Sequence, residues 1–353
     1  MLERCRGCLL GGACGDSPGA PIEFMSIDQI HRHFGPDGIR DFAPAYARIG
    51  AITDDTQMAL FTAEGLIRAA VREGGKGWCD LPTVVHRAYV RWLRTQGYDP
   101  PKLESEIVID EWLTDGWLIG LRALWSPRAP GNTCLSALRN TKKMGEPAMN
   151  NSKGCGGVMR VAPVGLVVDG EGVFELGSQT AALTHGHPSG YLSAGFMALL
   201  IEEIVSGTSL ADSIQTAKLK LITQPDHEEV FVAVENAEML AQSAASHAKP
   251  VTLGQGWVAE EALAIAVYCA LAAPNFEEAV VLAVNHSGDS DSTGAIAGNI
   301  CGALYGEAAI PARWLDQLEL RHEISAIADD LAALHENTLD LNSEQIFERY
   351  PGW

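Results

Sequence analysis

The sequence predicts an all-α protein that forms one domain over residues 1–353. Four apolar segments, at residues 191–205, 260–273, 277–284 and 295–305, have helical rather than strand lengths. Alternating runs of β-branched residues, which favour strands, are scarce. No segment has the composition of a linker, and a chain of 353 residues that is 47% hydrophobic can bury a large core. A single helical domain is the simplest interpretation.

Two sets of glycines recur at every fourth position, one set near each end of the chain. They are Gly7, Gly11, Gly15 and Gly19, and Gly294, Gly298, Gly302 and Gly306. Glycine costs about 0.5–1 kcal/mol relative to alanine inside a helix, so a repeated glycine ridge indicates close approach of two backbones. We therefore expect helices from the two ends of the chain to pack tightly and to bring Glu23 near Asp289 and Asp291.

Polar, turn-rich stretches predict connecting loops at residues 35–50, 127–157 and 243–256. Residues 15–24 contain two prolines and two glycines, which predicts a shaped loop rather than a helix. This loop carries the acids Asp16 and Glu23. Isolated acids in loops usually have a structural or solvent-facing role: Asp16 would bind loop amides, and Glu23 would face solvent. An apolar segment precedes the loop, however, and this favours burial of the far end of the loop.

Two short acidic clusters lie far apart in the chain, at residues 53–56 (Thr-Asp-Asp-Thr) and 289–293 (Asp-Ser-Asp-Ser-Thr). Carboxylates crowded this closely repel one another unless they are protonated or share a cation. Four carboxylates with neighbouring hydroxyls suit octahedral Mg²⁺ or Mn²⁺. The clusters therefore predict a metal-centred active site.

Helix capping is the alternative for each cluster taken alone. Asp54 followed by Gln57 resembles a capping box, and the second cluster directly precedes a helical run. A cap needs only one oxygen, so two aspartates at each helix start exceed that need. Residues 289–294 also resemble the opening of an EF-hand calcium loop, but Ile300 stands where the closing glutamate is required.

Residues 151–160 (Asn-Ser-Lys-Gly-Cys-Gly-Gly-Val-Met-Arg) form a glycine-rich segment. Its three glycines leave backbone amides free to converge on an anion, and Lys153 and Arg160 flank them. The segment lacks the Gly-Lys-Ser/Thr of a Walker loop, and a tight turn without a ligand is the alternative. His185 and His187 form an H-x-H pair, which suits either zinc or donation to a phosphate.

Charge and cysteine usage exclude other classes. A net charge of −20 argues against nonspecific nucleic-acid binding. The apolar stretch 294–310 is interrupted by Asn299 and Glu307 and is too short for a membrane span, and the N-terminus is a poor signal peptide. We therefore expect a cytoplasmic location and reduced thiols at all eight cysteines. Cys5 and Cys8 are predicted to pack in the core rather than to bind zinc.

Together these motifs resemble the ADP-ribosylglycohydrolase family over nearly the whole chain. The family elements occur in order at residues 10–16 with 19–24, 53–56, 154–160, 183–185, and 288–292 with 294–298. Each motif alone is weak, whereas all five in this order are specific. The resemblance implies an all-α fold with a binuclear Mg²⁺ or Mn²⁺ centre in a cleft.

The resemblance also implies roles for individual residues. Those that match the family's metal ligands are Thr53, Asp54, Asp55, Asp289, Asp291 and Ser292. Those that match positions holding the diphosphate of ADP-ribose are Ser152, Gly154, Gly156, Gly157 and His185. Glu23 matches a mobile acidic residue near the metals. Cys155 stands where many members have asparagine, and Ser292 where many have threonine.

The implied reaction is metal-assisted hydrolysis of an N- or O-glycosidic bond at the ribose anomeric carbon. It would remove ADP-ribose from modified protein side chains, with ADP-ribosyl-arginine as the expected linkage and Glu23 or Asp55 handling protons. Two other classes stay open. One is a binding protein that occludes an ADP-ribosyltransferase, which would then be its partner, and the other is a metal-dependent nucleotide phosphohydrolase.

Overall fold

The computed structural model describes residues 1–104, 110–168, 170–243 and 250–352. This part of the chain contains sixteen α-helices and no β-strand, so the all-α prediction is confirmed. The helices are α1 Leu2–Gly19, α2 Ile27–Phe34, α3 Asp54–Lys76, α4 Leu81–Thr95, α5 Asn132–Asn140, α6 Val164–Val167, α7 Val173–Ala182, α8 Pro188–Val205, α9 Leu210–Leu221, α10 Glu228–Gln242, α11 Ala259–Ala272, α12 Phe276–Val284, α13 Ser290–Tyr305, α14 Ala312–Leu315, α15 Arg321–His335 and α16 Glu344–Arg349.

The first and thirteenth helices, α1 and α13, pack against each other through their glycines. A Cβ added to Gly15 would lie 1.9 Å from the carbonyl oxygen of Gly294, and one added to Gly7 would lie 2.2 Å from that of Gly302. No real side chain tolerates such distances, so the two backbones are in direct contact. The prediction that the two ends of the chain pack tightly is confirmed.

One continuous apolar core extends from Cys5 near the start of the chain to Tyr350 near its end. This core supports the single-domain interpretation of residues 1–353, which stays a prediction. All eight cysteines are free thiols, and Cys5 and Cys8 are buried in the core. Within the described ranges, no helix combines the length and the apolar character needed to cross a membrane.

The prediction of a loop at residues 15–24 is wrong for its first half. Helix α1 continues to Gly19 and contains Pro18 in its last turn. Proline removes one N–H there, but the next turn still closes through a hydrogen bond from Ala20 N–H to Asp16 O (3.0 Å). Packing of the glycine ridge on α13 keeps this turn helical, and residues 20–24 form the turn that carries Glu23.

The predicted loop at residues 127–157 also contains helices. α5 lies within it and buries Cys134, Leu135 and Leu138, and Cys155–Gly157 forms a 3₁₀ helix. α5 has only nine residues and a polar composition, which explains why its pattern was missed. Residues 35–50 form a loop as predicted. Of the predicted loop 243–256, residues 244–249 lie outside the described residues, and Pro250–Leu253 is a 3₁₀ helix.

Candidate active site

The two acidic clusters meet in one cleft at the N-terminal ends of α3 and α13. The cleft has a volume of about 200 Å³. The residues nominated from the sequence that line it are Glu23, Asp54, Asp55, Gly154, Gly156, His185, Asp289, Asp291 and Ser292. The other three nominated residues, Thr53, Ser152 and Gly157, lie one or two positions away from lining residues in the chain and do not line the cleft themselves.

Helix capping does not explain the aspartates. Thr53 caps α3, because its hydroxyl accepts a hydrogen bond from the Asp55 backbone N–H (3.3 Å). Asp54 is already helical, and Gln57 forms its hydrogen bonds within the core instead of closing a capping box. Asp289 is the N-cap residue of α13 but makes no capping hydrogen bond with its side chain. The capping-box interpretation of Asp54 and Gln57 is therefore wrong.

Three carboxylates converge inside the cleft. Glu23, Asp289 and Asp291 each place an oxygen within 4.8 Å of the other two. Among the described residues, no hydrogen-bond partner reaches Glu23 Oε2, Asp55 Oδ1 or Asp291 Oδ1, although all three atoms are buried. Buried polar atoms without partners are costly, and oxygen atoms are the ligands that hard divalent cations prefer. The donor set therefore fits a cation such as Mg²⁺ or Mn²⁺.

Burial and mutual repulsion favour the protonated forms of these acids. Burial, followed by the charges of Asp289 and Asp54, raises the pKa of Glu23 to about 9. Burial and neighbouring carboxylates also raise the pKa of Asp54, Asp55 and Asp291 well above the ordinary value. A divalent cation would reverse this preference, because it stabilises the ionised carboxylates.

Asp16 belongs to the same centre, although the sequence analysis gave it no role there. It is fully buried in the last turn of α1. Its Oδ2 accepts hydrogen bonds from the Thr53 backbone N–H (2.9 Å) and from the Thr56 hydroxyl (2.5 Å). Burial raises the pKa of Asp16 to about 6. Asp16 therefore ties α1 to the start of α3 and places the first acidic cluster beside the turn that carries Glu23.

The predicted anion-binding loop forms a second wall of the cleft. The backbone N–H of Cys155 donates to the carbonyl oxygen of Trp257 (3.3 Å), which fixes the loop to the segment before α11. A Cβ on Gly156 would lie 2.9 Å from Cε1 of His185. Glycine at this position therefore allows the imidazole ring to lie directly against the loop.

Ser152 and Gly157 shape the loop without lining the cleft. The Ser152 hydroxyl accepts a hydrogen bond from Gly154 N–H (3.3 Å) and shares another with the Thr133 hydroxyl (3.0 Å). A Cβ on Gly157 would lie 2.8 Å from that of Ala181, so this glycine permits close packing on α7. Both residues thus hold the loop in place.

The two flanking cations are not in the cleft wall. Lys153 Nζ pairs with Glu229 (3.0 Å) and Glu260, and the Arg160 side chain is fully buried in the core. The described residues that line the cleft include no lysine or arginine. Lys153 and Arg160 therefore flank the glycines in the sequence without facing the cleft, and the loop presents its glycine backbone and His185 there instead.

Cys155 joins the anion loop to the second acidic cluster. Its thiol donates a hydrogen bond to Asp289 Oδ2 (2.9 Å) and lies 3.6 Å from the Ser292 hydroxyl. Burial, followed by the charge of Asp289, raises the pKa of Cys155 well above its ordinary value. In the metal-free cleft the thiol is therefore protonated and acts as a donor to Asp289.

Exposed aromatic rings lie near the acidic centre. Phe24 is 75% exposed and stacks on Trp257, which lines the cleft, with ring centroids 6.0 Å apart. Tyr46 covers the guanidinium of Arg128, and burial together with the charge of Glu23 raises the pKa of Tyr46. These rings carry no signal in the sequence, because single aromatic residues in loops form no periodic pattern.

Comparison with known proteins assigns the family. The family model for ADP-ribosylglycohydrolases matches residues 1–340. The chain belongs to the ADP-ribosylglycohydrolase family. Members of the ADP-ribosylglycohydrolase family are hydrolases that act on glycosidic bonds of ADP-ribose and depend on divalent cations. The chain is therefore a hydrolase, and its acidic cleft has the donor chemistry that this family requires.

Its relatives carry several names. The chain is 27% identical to the ADP-ribosylarginine hydrolase Tri1 of Serratia proteamaculans, over 94% of this chain and 79% of the relative. It is 24% identical to the ADP-ribosyl-[dinitrogen reductase] glycohydrolase of Rhodospirillum rubrum, over 94% and 96%. It is also 26% identical to the ADP-ribosylhydrolase ARH3 of Bos taurus, over 96% and 94%. A solved structure titled ADP-ribosylglycohydrolase-related protein complex superposes with a TM-score of 0.68 at 26% identity, over 96% and 99%.

Proposed function

We propose that this hydrolase removes ADP-ribose from modified arginine side chains by cleaving the N-glycosidic bond at the ribose anomeric carbon. The convergence of Glu23, Asp289 and Asp291 within 4.8 Å, in a cleft that continues to a glycine loop, carries the proposal. The acidic end of the cleft suits the ribose together with the divalent cations. The loop end suits the diphosphate, because its glycines allow an anion to approach the backbone closely beside His185.

The residues that we assign to two Mg²⁺ or Mn²⁺ ions are Thr53, Asp54, Asp55, Asp289, Asp291 and Ser292. Such ions supply electrostatic stabilisation of negative charge that develops on oxygen during hydrolysis. Asp16 and Cys155 position this set, since Asp16 accepts from Thr53 behind the cleft wall and Cys155 donates to Asp289 within the wall. We assign proton transfer to Glu23 and Asp55, which line the cleft and each keep one buried oxygen without a hydrogen-bond donor among the described residues; Asp291, which shares these features, is assigned to the cations alone.

The diphosphate would lie along the glycine loop. Gly154 and Gly156 offer backbone approach, and His185 offers a ring nitrogen at the same wall. Ser152, whose hydroxyl accepts the Gly154 N–H, and Gly157, which packs against Ala181, hold the loop in place. We assign Gly154, Gly156 and His185 to binding because they line the cleft, and Ser152 and Gly157 to support because they hold the loop in place.

The rings near the cleft mouth support arginine as the modified residue. A guanidinium is a flat cation that is attracted to aromatic faces and to carboxylates. Phe24 and Trp257 present a stacked pair of rings beside the acidic centre, and Tyr46 lies within the field of Glu23. One of the relatives described above, from Serratia proteamaculans, is named an ADP-ribosylarginine hydrolase.

The reaction products test this proposal. The protein is incubated with peptides that carry ADP-ribose on arginine or on serine, and ADP-ribose and inorganic phosphate are quantified by chromatography. Release of ADP-ribose that is faster from arginine supports the proposal, whereas preference for serine would overturn the linkage. Release of phosphate alone would indicate a nucleotide phosphohydrolase. Stoichiometric inhibition of a transferase without turnover would indicate an occluding binder.

A further inference from the structure

Arg160 is a buried cation without a carboxylate partner among the described residues. Its side chain is fully buried. Its guanidinium lies 4.1 Å from the ring centroid of Tyr89, and its Nη1 contacts the sulfur atoms of Met58 (3.5 Å) and Cys134 (3.4 Å). Buried charges are costly unless something compensates them. Arg160 therefore calls for an explanation beyond packing.

The guanidinium lies directly behind the wall of the cleft. Nη1 reaches Cys134, which lines the cleft, and Nη2 donates to the Thr184 hydroxyl (2.7 Å). Thr184 in turn shares a hydrogen bond with Nδ1 of His185 (2.8 Å), another cleft residue. Arg160 thus contacts the cleft wall directly at Cys134 and reaches His185, the other cleft residue, through Thr184.

The hydrogen-bond pattern around Thr184 fixes the position of one proton. Its hydroxyl could donate to the Ala181 carbonyl oxygen (3.3 Å) or to His185 Nδ1 (2.8 Å). The Ala181 oxygen already accepts the backbone N–H groups of Thr184 and His185, both at 3.0 Å, which fills its two lone pairs. Arg160 occupies one acceptor position of the hydroxyl. The hydroxyl proton therefore goes to Nδ1.

A neutral imidazole that accepts at Nδ1 carries its proton on Nε2. Burial, with a contribution from the charge of Arg160, lowers the pKa of His185 to about 3, so the ring is neutral. Nε2 lies 3.4 Å from the position that a Cβ on Gly154 would take. The Nε2–H group is therefore at the glycine loop, where the diphosphate is proposed to bind.

We propose that Arg160 is a positioning residue for the substrate diphosphate, which acts through Thr184 to present His185 as an Nε2–H donor and places an unpaired positive charge behind the anion site. This inference rests on the proposed function for the identity of the anion. It also explains how a cleft whose described lining contains no lysine or arginine accommodates a diphosphate. Lys153 cannot take this role, because Glu229 and Glu260 neutralise it.

The first experiment tests the proton relay without removing the charge. Thr184→Val deletes the hydroxyl that donates to His185, and Thr180→Val is the matched control, because Thr180 is equally buried and its hydroxyl bonds only Gly177 O in its own helix. Nitrogen chemical shifts of His185, measured by NMR on the folded proteins, should report Nε2–H in the parent and in Thr180→Val. They should report a changed tautomer population in Thr184→Val. An unchanged tautomer would overturn the relay.

The second experiment measures ADP-ribose affinity by calorimetry on the metal-loaded proteins. Arg160→Met should weaken ADP-ribose binding about tenfold or more while metal affinity is retained, and Arg160→Lys should recover part of the loss. Thr184→Val should also weaken ADP-ribose binding, and the affinity of this variant decides the outcome if Arg160→Met does not fold. Affinity within twofold of the parent in the folded variants would overturn the proposal. A parent that fails to bind ADP-ribose would instead overturn the proposed function, whereas the NMR result would still test the relay.

Discussion

Gly19 lies directly against the backbone of Asp291, and a Cβ built on Gly19 would stand 2.4 Å from the Asp291 Cα. The last glycine of the ridge on α1 therefore meets the second acidic cluster itself. Four residues further along the chain, Glu23 turns back towards Asp289 and Asp291. The glycine ridge and the carboxylate centre are consequently one structural feature, because the helix contact determines the distance between the acids.

The first prediction concerns this helix contact. Gly15→Ala should lower the free energy of unfolding by about 1–3 kcal/mol and weaken Mn²⁺ binding, because the new Cβ meets the Gly294 carbonyl oxygen at 1.9 Å. Gly75→Ala is the matched control. Gly75 lies in α3 with nothing within 4 Å of its added Cβ, so this change should stabilise the protein slightly. Denaturant unfolding and calorimetry check both variants, and equal effects would contradict the account.

The second prediction concerns metal stoichiometry. The parent should bind two Mg²⁺ or Mn²⁺ ions per chain, and the double change Asp54→Ala with Asp289→Ala should abolish this binding while the circular dichroism of the helices persists. Removal of two oxygen ligands from opposite clusters leaves neither ion with a complete donor set. The control pair, Asp37→Ala with Asp99→Ala, removes the same number of negative charges, but at exposed positions. Unchanged binding in the Asp54 and Asp289 variant would remove the clusters from the metal site.

The third prediction concerns stability and pH in the metal-free protein. A carboxyl whose pKa is raised on folding stabilises the folded state below its unfolded pKa and loses that contribution as the pH rises through the folded pKa. For Glu23 the folded pKa is about 9. In chelator, the free energy of unfolding should therefore fall between about pH 7 and pH 8.5, by on the order of 1 kcal/mol per pH unit.

Two controls isolate this effect. The buried histidines His86, His185 and His286 have lowered pKa values, so they reduce stability mainly at acidic pH and contribute only a small rise in stability within this window. Glu23→Gln should flatten the decline, and saturating Mg²⁺ should reverse it by stabilising the ionised carboxylates. A metal-free protein with the same melting temperature at pH 7 and pH 8.5 would contradict the raised pKa values.

The fourth prediction concerns the glycine loop. Gly156→Val should weaken ADP-ribose binding about tenfold or more, because the added side chain meets Cys134 Sγ at 2.8 Å and the His185 ring at 2.9 Å. Metal binding should persist, since the acidic clusters belong to other elements. Gly120→Val is the control, because a Cβ at Gly120 meets nothing within 4 Å. Equal ADP-ribose affinity in Gly156→Val and the parent would exclude the loop from the site.

The sequence predicted the features that depend on spacing. The four-residue period of the glycines predicted the α1 and α13 contact, and the paired aspartates predicted a carboxylate centre that Glu23 joins. Both follow from local chemistry, since glycine ridges and crowded carboxylates each need a partner elsewhere in the chain. The helical state of Pro18 was missed, because packing on α13 outweighs the local preference of proline and glycine.

Other parts of the site depend on contacts that no sequence pattern encodes. Lys153 looks like an anion ligand until Glu229 and Glu260, from two separate helices, are seen to neutralise it. Arg160 looks like a second ligand until its burial behind Thr184 is known. Whether a charged side chain faces a cleft is decided by long-range packing, and a single sequence carries little information about that.

The most direct test of the account uses Asp55→Ala and metal chelation together. The parent, loaded with Mn²⁺ or Mg²⁺, should release ADP-ribose from an arginine-modified protein, as measured by chromatography. Asp55→Ala should lower this rate by about a thousandfold or more, because it removes a carboxylate from the metal centre and from proton transfer. Chelation of the parent should give the same loss, and added Mn²⁺ or Mg²⁺ should restore the rate. Release of ADP-ribose that survives both treatments would contradict the assignment of the acidic clusters as the catalytic centre.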